Sequence, residues 1–219
     1  MAFNLNTGKF KLVGGAASLD FVNTVSGRIS NPNRKNGRDY LDFYRSDKLE
    51  DYADLLTWSF KSELVDKKEA KRLAQFAERE PQTAEKVFKR ALTLRESIYR
   101  LFKSTVEGWQ PEAVDLERFN RELSIASKHQ RFSAAENGFV FEWIDRENAL
   151  DTMLWQISES TAETLLTADL TRIRQCGADA CNWLFLDMSR NRSRQWCDMK
   201  DCGNLAKVRR FRQRHQREM

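Results

Sequence analysis

The chain has 219 residues, enough for one medium domain and a small appendage, because a single core seldom grows beyond about 250 residues. It is 41% apolar and 32% charged with three prolines and nine glycines, which excludes a disordered or low-complexity chain and favours a helix-rich globular protein. No run approaches the roughly 20 apolar residues that span a bilayer, and MAFNLNTGKF lacks a basic segment followed by an apolar one, so a cytoplasmic protein with no membrane partner is expected.

In chain order, KFKLVGG reads as a short strand or extended lead-in, and SLDFVNTV as an apolar run, helical or extended, interrupted by Asp20, Asn23 and Thr24. Residues 28 to 39, RISNPNRKNGRD, have a loop composition. Leu49, Tyr52, Leu55, Leu56 and Phe60 recur at helical spacing. A longer helix over 82–107 aligns Val87, Ala91, Leu94, Ile98, Leu101 and Phe102, with Pro81 in its first turn, where its missing N–H costs nothing. Pro111 takes the same place in a helix running to about Ser127. AAENG then separates RFS from FVFEWI, which predicts a β-hairpin, and a helix follows over 147–167.

The net charge of +5 is uneven. Residues 1–170 carry 25 Lys+Arg against 27 Asp+Glu, whereas residues 171–219 carry 12 against 5, so the chain divides into a near-neutral helical domain over 1–170 and a basic segment over 171–219. That segment holds all four cysteines. Cys176 and Cys181 are separated by four residues, as are Cys197 and Cys202, and fifteen residues lie between the pairs. In a reducing compartment two close pairs point to metal ligands rather than disulfides, and four thiolates suit one structural zinc ion held in a tetrahedron. The spacer reads as a hairpin, with NWLFLD as one strand, SRNRS as the turn and RQW as the return, and Trp183, Phe185 and Trp196 as a small core. A catalytic zinc is disfavoured because four thiolates leave no open position for water.

After Cys202 the sequence GNLAKVRRFRQRHQREM predicts a basic helix. At about 100° per residue, Leu205, Val208, Phe211 and His215 form an apolar side, expected to pack on the zinc hairpin. Lys207, Arg210, Arg214 and Arg217 fall opposite, and Arg209 and Arg212 flank the stripe. With Arg190, Arg192 and Arg194 of the SRNRS turn, these cations are the candidate nucleic-acid contacts, and double-stranded DNA is favoured over RNA because the nearby aromatics are committed to the core.

These residues also carry a resemblance. CGADACNWLFLDMSRNRSRQWCDMKDCGNLAKVRRFRQRH resembles the CGNR zinc finger, whose last motif stands here as Cys202, Gly203, Asn204 and Leu205, with leucine where the family usually has arginine. Leu19-Asp20-Phe21-Val22-Asn23-Thr24 and Leu94-Arg95-Glu96 resemble motifs of the ABATE domain that accompanies this finger. The resemblance implies a stress-linked bacterial transcription regulator that binds DNA, and it brings no catalytic residues.

The expected architecture is therefore mainly α with a small β-hairpin: an N-terminal helical α+β domain, then a small treble-clef-like zinc finger ending in a basic helix. Asp20, Asn23, Arg28 and Arg95 are candidates for a small-effector pocket, set against the plainer reading that Asp20 and Asn23 cap helices or turns. A homodimer through the helical domain would suit palindromic DNA. A protein-interaction module, an RNA-binding protein and an enzyme positioned by the finger are the competing functions; no clustered acid, base or nucleophile supports the last.

Overall fold

The computed structural model describes residues 6–30, 40–41, 46–178 and 180–217. After a 3-10 turn over Thr7–Lys9, the chain runs extended to Gly14 and enters a short helix α1, Ala17–Val22, which is buried from Ser18 onward. Thus KFKLVGG is an extended lead-in, and the ambiguous SLDFVNTV is helical up to Val22. Four two-residue strands follow, β1 (Val25–Ser26), β2 (Ile29–Ser30), β3 (Tyr40–Leu41) and β4 (Ser46–Asp47), with β1 antiparallel to β4 and β2 to β3. Of the loop expected over 28–39, residues 31–39 lie outside the described residues.

Helix α2 (Tyr52–Lys61) starts where the Asp51 side chain accepts from the Asp54 N–H, and α3 (Lys67–Arg79) where Asp66 accepts from Glu69. The sequence reading missed α3 because it is mostly charged and fully buries only Ala70 and Leu73. Its Asp66 cap and the spacing of Ala70, Leu73, Ala74 and Ala77 were the available signals. Helix α4 (Pro81–Glu107) has Pro81 in its first turn and ends at Gly108 in the left-handed conformation, φ 71°. Helix α5 (Ala113–Lys128) packs on α4.

The hairpin is formed by β5 (Gln130–Ala135) and β6 (Gly138–Trp143), joined by Glu136 and Asn137, with Gly138 at φ 134°. The next helix, α6, runs over Thr152–Thr167 and begins five residues later than expected. The carbonyls of Arg146 and Glu147 are occupied by the Arg72 guanidinium from α3, which holds a 3-10 turn in front of the helix.

One core unites these helices. It contains Leu19 and Phe21 of α1, Leu55 and Trp58 of α2, Leu94, Ile98 and Phe102 of α4, and Met153, Leu154 and Ile157 of α6. The same core takes in Ile173 and Leu184 from the C-terminal region, so the basic segment is packed onto the helical domain. Among the described residues, no helix is long and apolar enough to cross a membrane.

Candidate metal centre and nucleic-acid interface

Strands β7 (Ile173–Gln175) and β8 (Leu184–Leu186) pair antiparallel, Ile173 opposite Leu186 and Gln175 opposite Leu184. This corrects the expected pairing of NWLFLD with RQW: β8 pairs upstream, and Cys176 and Cys181 sit in the turn of that hairpin. The reason lies in Asp187, fully buried, whose carboxylate accepts from the N–H groups of Ser189 and Arg194. It pins SRNRS as a turn and withdraws the Arg194 donor from any ladder. Gln195 instead offers its carbonyl to Gly177 N–H at 2.9 Å, drawing the second cysteine pair toward the first.

Cys197 lies just before a wide helical turn, Met199–Gly203, that carries Cys202 and leads into α7 (Asn204–Arg217). A Cβ at Gly203 would stand 2.8 Å from Met199 Sδ and 3.1 Å from Trp196 Cδ1, so a larger residue here displaces the Met199 side chain. The four Sγ atoms lie within 4.8 Å of one another, and Cys197 Sγ is 3.6 Å from both Cys181 Sγ and Cys202 Sγ. A disulfide would bring two sulfurs to about 2.05 Å. The observed spacing is the edge of a tetrahedron, about 3.8 Å for metal–sulfur bonds of about 2.3 Å.

Crowding also drives the thiols apart in acidity. Donation from Cys181 and Cys197 pulls the Cys176 thiol down to about 2, and the resulting thiolate pushes Cys181 and Cys197 far up. Burial raises Cys202. Only a cation lets all four ionise together. The donor set fits one structural zinc ion, and with four protein ligands the site is closed.

The finger is stitched to residues 11–28. Asn23 Nδ2 donates to the Leu184 carbonyl at 2.7 Å while its Oδ1 accepts from Leu184 N–H at 2.9 Å, and the Trp183 indole donates to the Val25 carbonyl at 2.8 Å. Gly27 N–H donates to the Cys181 carbonyl, and Leu186 N–H to the Gly14 carbonyl. Lys11 pairs with Asp198 and Asp201. Asp20 Oδ1 accepts from the N–H groups of Val13 and Gly14, both at 2.7 Å. Burial nevertheless pushes its carboxyl up to about 6, against those two donors and the Arg194 charge.

Gly14 is where this junction is tightest: a Cβ there would lie 2.8 Å from Leu19 Cβ and 2.9 Å from Asp20 N. Gly14→Ala is expected to lower stability by about 1–3 kcal/mol through overpacking. A shifted urea midpoint with an unchanged slope would show it, and an unshifted midpoint would mean that α1 gives way freely.

The four candidate effector residues are buried and bonded to protein atoms. Asp20 and Asn23 hold the lead-in and β8 as described. Arg28 donates to the Val22 carbonyl at 2.9 Å, pairs with Glu96 and lies 3.8 Å over the Tyr99 ring. Arg95 forks onto Asp47 at 2.8 and 2.6 Å and also meets Thr24 and Glu96. The structure thus joins Arg28 and Arg95 through Glu96. Burial opposes ionisation of Glu96, but the two guanidiniums prevail and hold it below the usual carboxylate range. Asp47 and Asp187 were missed by the sequence reading. Asp187, just ahead of a Ser/Asn-rich turn, carried a detectable signal.

The candidate cations divide into three groups. Arg194 is committed to the finger: it donates to the carbonyls of Val13, Trp196 and Cys197 and stacks 4.3 Å from Phe185. Arg192 pairs with Asp169 at 3.0 Å, and Arg190 is exposed on the same turn. On α7, Lys207, Arg209, Arg210 and Arg212 are exposed; the side chains of Arg214 and Arg217 lie outside the described residues.

The apolar stripe of α7 does not pack on the hairpin. Leu205, Val208 and Phe211 are 61%, 46% and 62% exposed. Ala206, Arg209 and Gln213, together with Leu205 from the edge of the stripe, border a cleft of about 380 Å³ beside Cys181 and Trp183. Hydrophobic spacing therefore does not decide which face turns inward.

Comparison with protein-family models gives two matches. One, described as "CGNR zinc finger", covers residues 172–215; the other, ABATE, described as "Putative stress-induced transcription regulator", covers residues 15–169. No curated protein matches the chain.

Proposed function

The chain belongs to the ABATE family and ends in a CGNR zinc finger, and from that premise we propose that it is a cytoplasmic, non-enzymatic transcription regulator that binds duplex DNA through α7. The carrying observation is the exposed face of α7: the helix starts just after Cys202 and exposes Lys207, Arg210 and Arg212 along 14 residues without an acidic side chain. At about 1.5 Å per residue that helix is about 21 Å long, and a helix of this diameter enters the major groove of B-DNA. Exposed Leu205, Val208 and Phe211 then face base edges, where apolar groups meet thymine methyls, while the cations reach phosphates on either side.

Arg190 and Arg192 extend the basic surface from the SRNRS turn. In this reading Arg194 orients the finger and contacts no phosphate. The helical domain is the regulatory part, and a second copy of the chain bound through it would place two fingers on a palindromic site.

The exposed stripe also favours a second reading, a helix-in-groove contact with an acidic protein. Salt titration of duplex binding separates the two. With the zinc-loaded full chain, K207A/R210A/R212A is expected to weaken duplex binding more than tenfold near about 0.15 M salt and to reduce the salt slope by about 3. Equal affinity and slope in both proteins would remove α7 from DNA recognition and leave the protein contact as the better reading.

A further inference from the structure

The helical domain carries a second cationic feature, remote in sequence from the finger. A groove of about 470 Å³ between α4 and α5 is lined by Lys86, Lys89, Arg90, Arg118, Arg121 and Glu122, with Leu94 and Thr93 at α4. Five cations and one acid line it, although residues 1–170 as a whole have more acidic than basic side chains.

Its single acid is already used. Arg90 forks onto Glu122 at 3.1 and 2.7 Å and reaches Asp151 with a third nitrogen at 2.9 Å, so this corner is neutralised from within. Among the described residues Lys89 pairs with the exposed Glu85, a contact of a kind that contributes little. Lys86, Arg118 and Arg121 form no ion pair among the described residues. Lys86, Lys89 and Arg90 share one side of α4 by their three- and four-residue spacing, as Arg118 and Arg121 do on α5, and like charges so placed repel. Beneath them Leu94 is 1% exposed, giving the groove an apolar floor, and its volume falls in the range of small-ligand sites.

We propose that this groove is a phosphate-anion site, in which Lys86, Arg118 and Arg121 bind the phosphates of a nucleotide-like molecule whose ring lies on the Leu94 floor. Arg90, locked by Glu122 and Asp151, fixes the spacing of the two helices and serves as the preformed wall. The same phosphate chemistry could come from a free nucleotide or from a nucleic-acid backbone, and the test separates these sources. The site is independent of α7.

The zinc-loaded full chain and K86A/R118A/R121A, whose substitutions are all at exposed positions, would be titrated by calorimetry with ATP, with inorganic tripolyphosphate and with a duplex DNA. Far-UV circular dichroism and zinc content confirm that the variant is folded. Loss of ATP and tripolyphosphate binding by at least tenfold with unchanged duplex affinity assigns the groove to a free phosphate compound. A tenfold loss confined to the duplex assigns it to nucleic-acid backbone. Equal behaviour of both proteins toward all three probes overturns the proposal.

Discussion

Stripping zinc from the four-cysteine centre is expected to unfold the finger tip and leave the helical domain standing. Among the described residues, the buried members of the core around this centre are Cys176, Trp183, Phe185 and Cys197, too little apolar surface to fold alone. Structural zinc contributes on the order of 10 kcal/mol to such modules. Without it, four crowded thiols compete for one negative charge and the turns around Gly177 and Gly203 lose their reason to close. The base of the hairpin differs, because Ile173 and Leu184 belong to the large core. Hydrogen exchange should therefore show the amides of Gly177, Cys181 and Gly203 deprotected by a chelator, while those of α4 and α6 remain protected. Protection that survives complete removal of the metal would mean that packing alone holds the centre.

The second large effect is expected at Asn23. Its amide occupies both backbone groups of Leu184, and the pairing fixes which way the amide points: nitrogen to the carbonyl, oxygen to the N–H. Asn23 is 2% exposed and Leu184 fully buried, so neither group finds water when the side chain is removed. Asn23→Ala should cost about 2–6 kcal/mol, from two buried groups left unsatisfied at about 1–3 kcal/mol each. Asn23→Asp should be no milder, since a carboxylate keeps the bond from Leu184 N–H but sets an anion against the Leu184 carbonyl. Thermal unfolding of the zinc-loaded protein, with zinc release followed in parallel, checks both. Wild-type stability in either variant would show that the finger docks by apolar contact alone.

How much of this was legible beforehand follows from where each signal resides. The four cysteines state their chemistry by type and spacing, and Pro81, the AAENG turn and the apolar repeats of α2, α4 and α6 act within one element, so local reading finds them. The contact between Asn23 and β8 joins residues 161 apart, and its partner atoms are backbone, which carry no residue signature. Asp20 and Asn23 thus stood out as polar groups in an apolar run without revealing what they hold. The roll of α7 was misread because hydrophobic spacing marks one side of a helix without naming the surface that side meets. The groove between α4 and α5 exists only through the register of two helices, so its cations look like ordinary wet faces in either segment alone.

The span between Asn23 and Leu184 also orders events in time. A ribosome adding about 5–20 residues per second completes the intervening chain in roughly 10–30 s. Throughout that interval the motif at α1 has been made and its partner has not, so the helical domain emerges with one side open until β8 follows. A message cut short before Leu184 yields a product with Leu19 and Phe21 beside an unfilled slot.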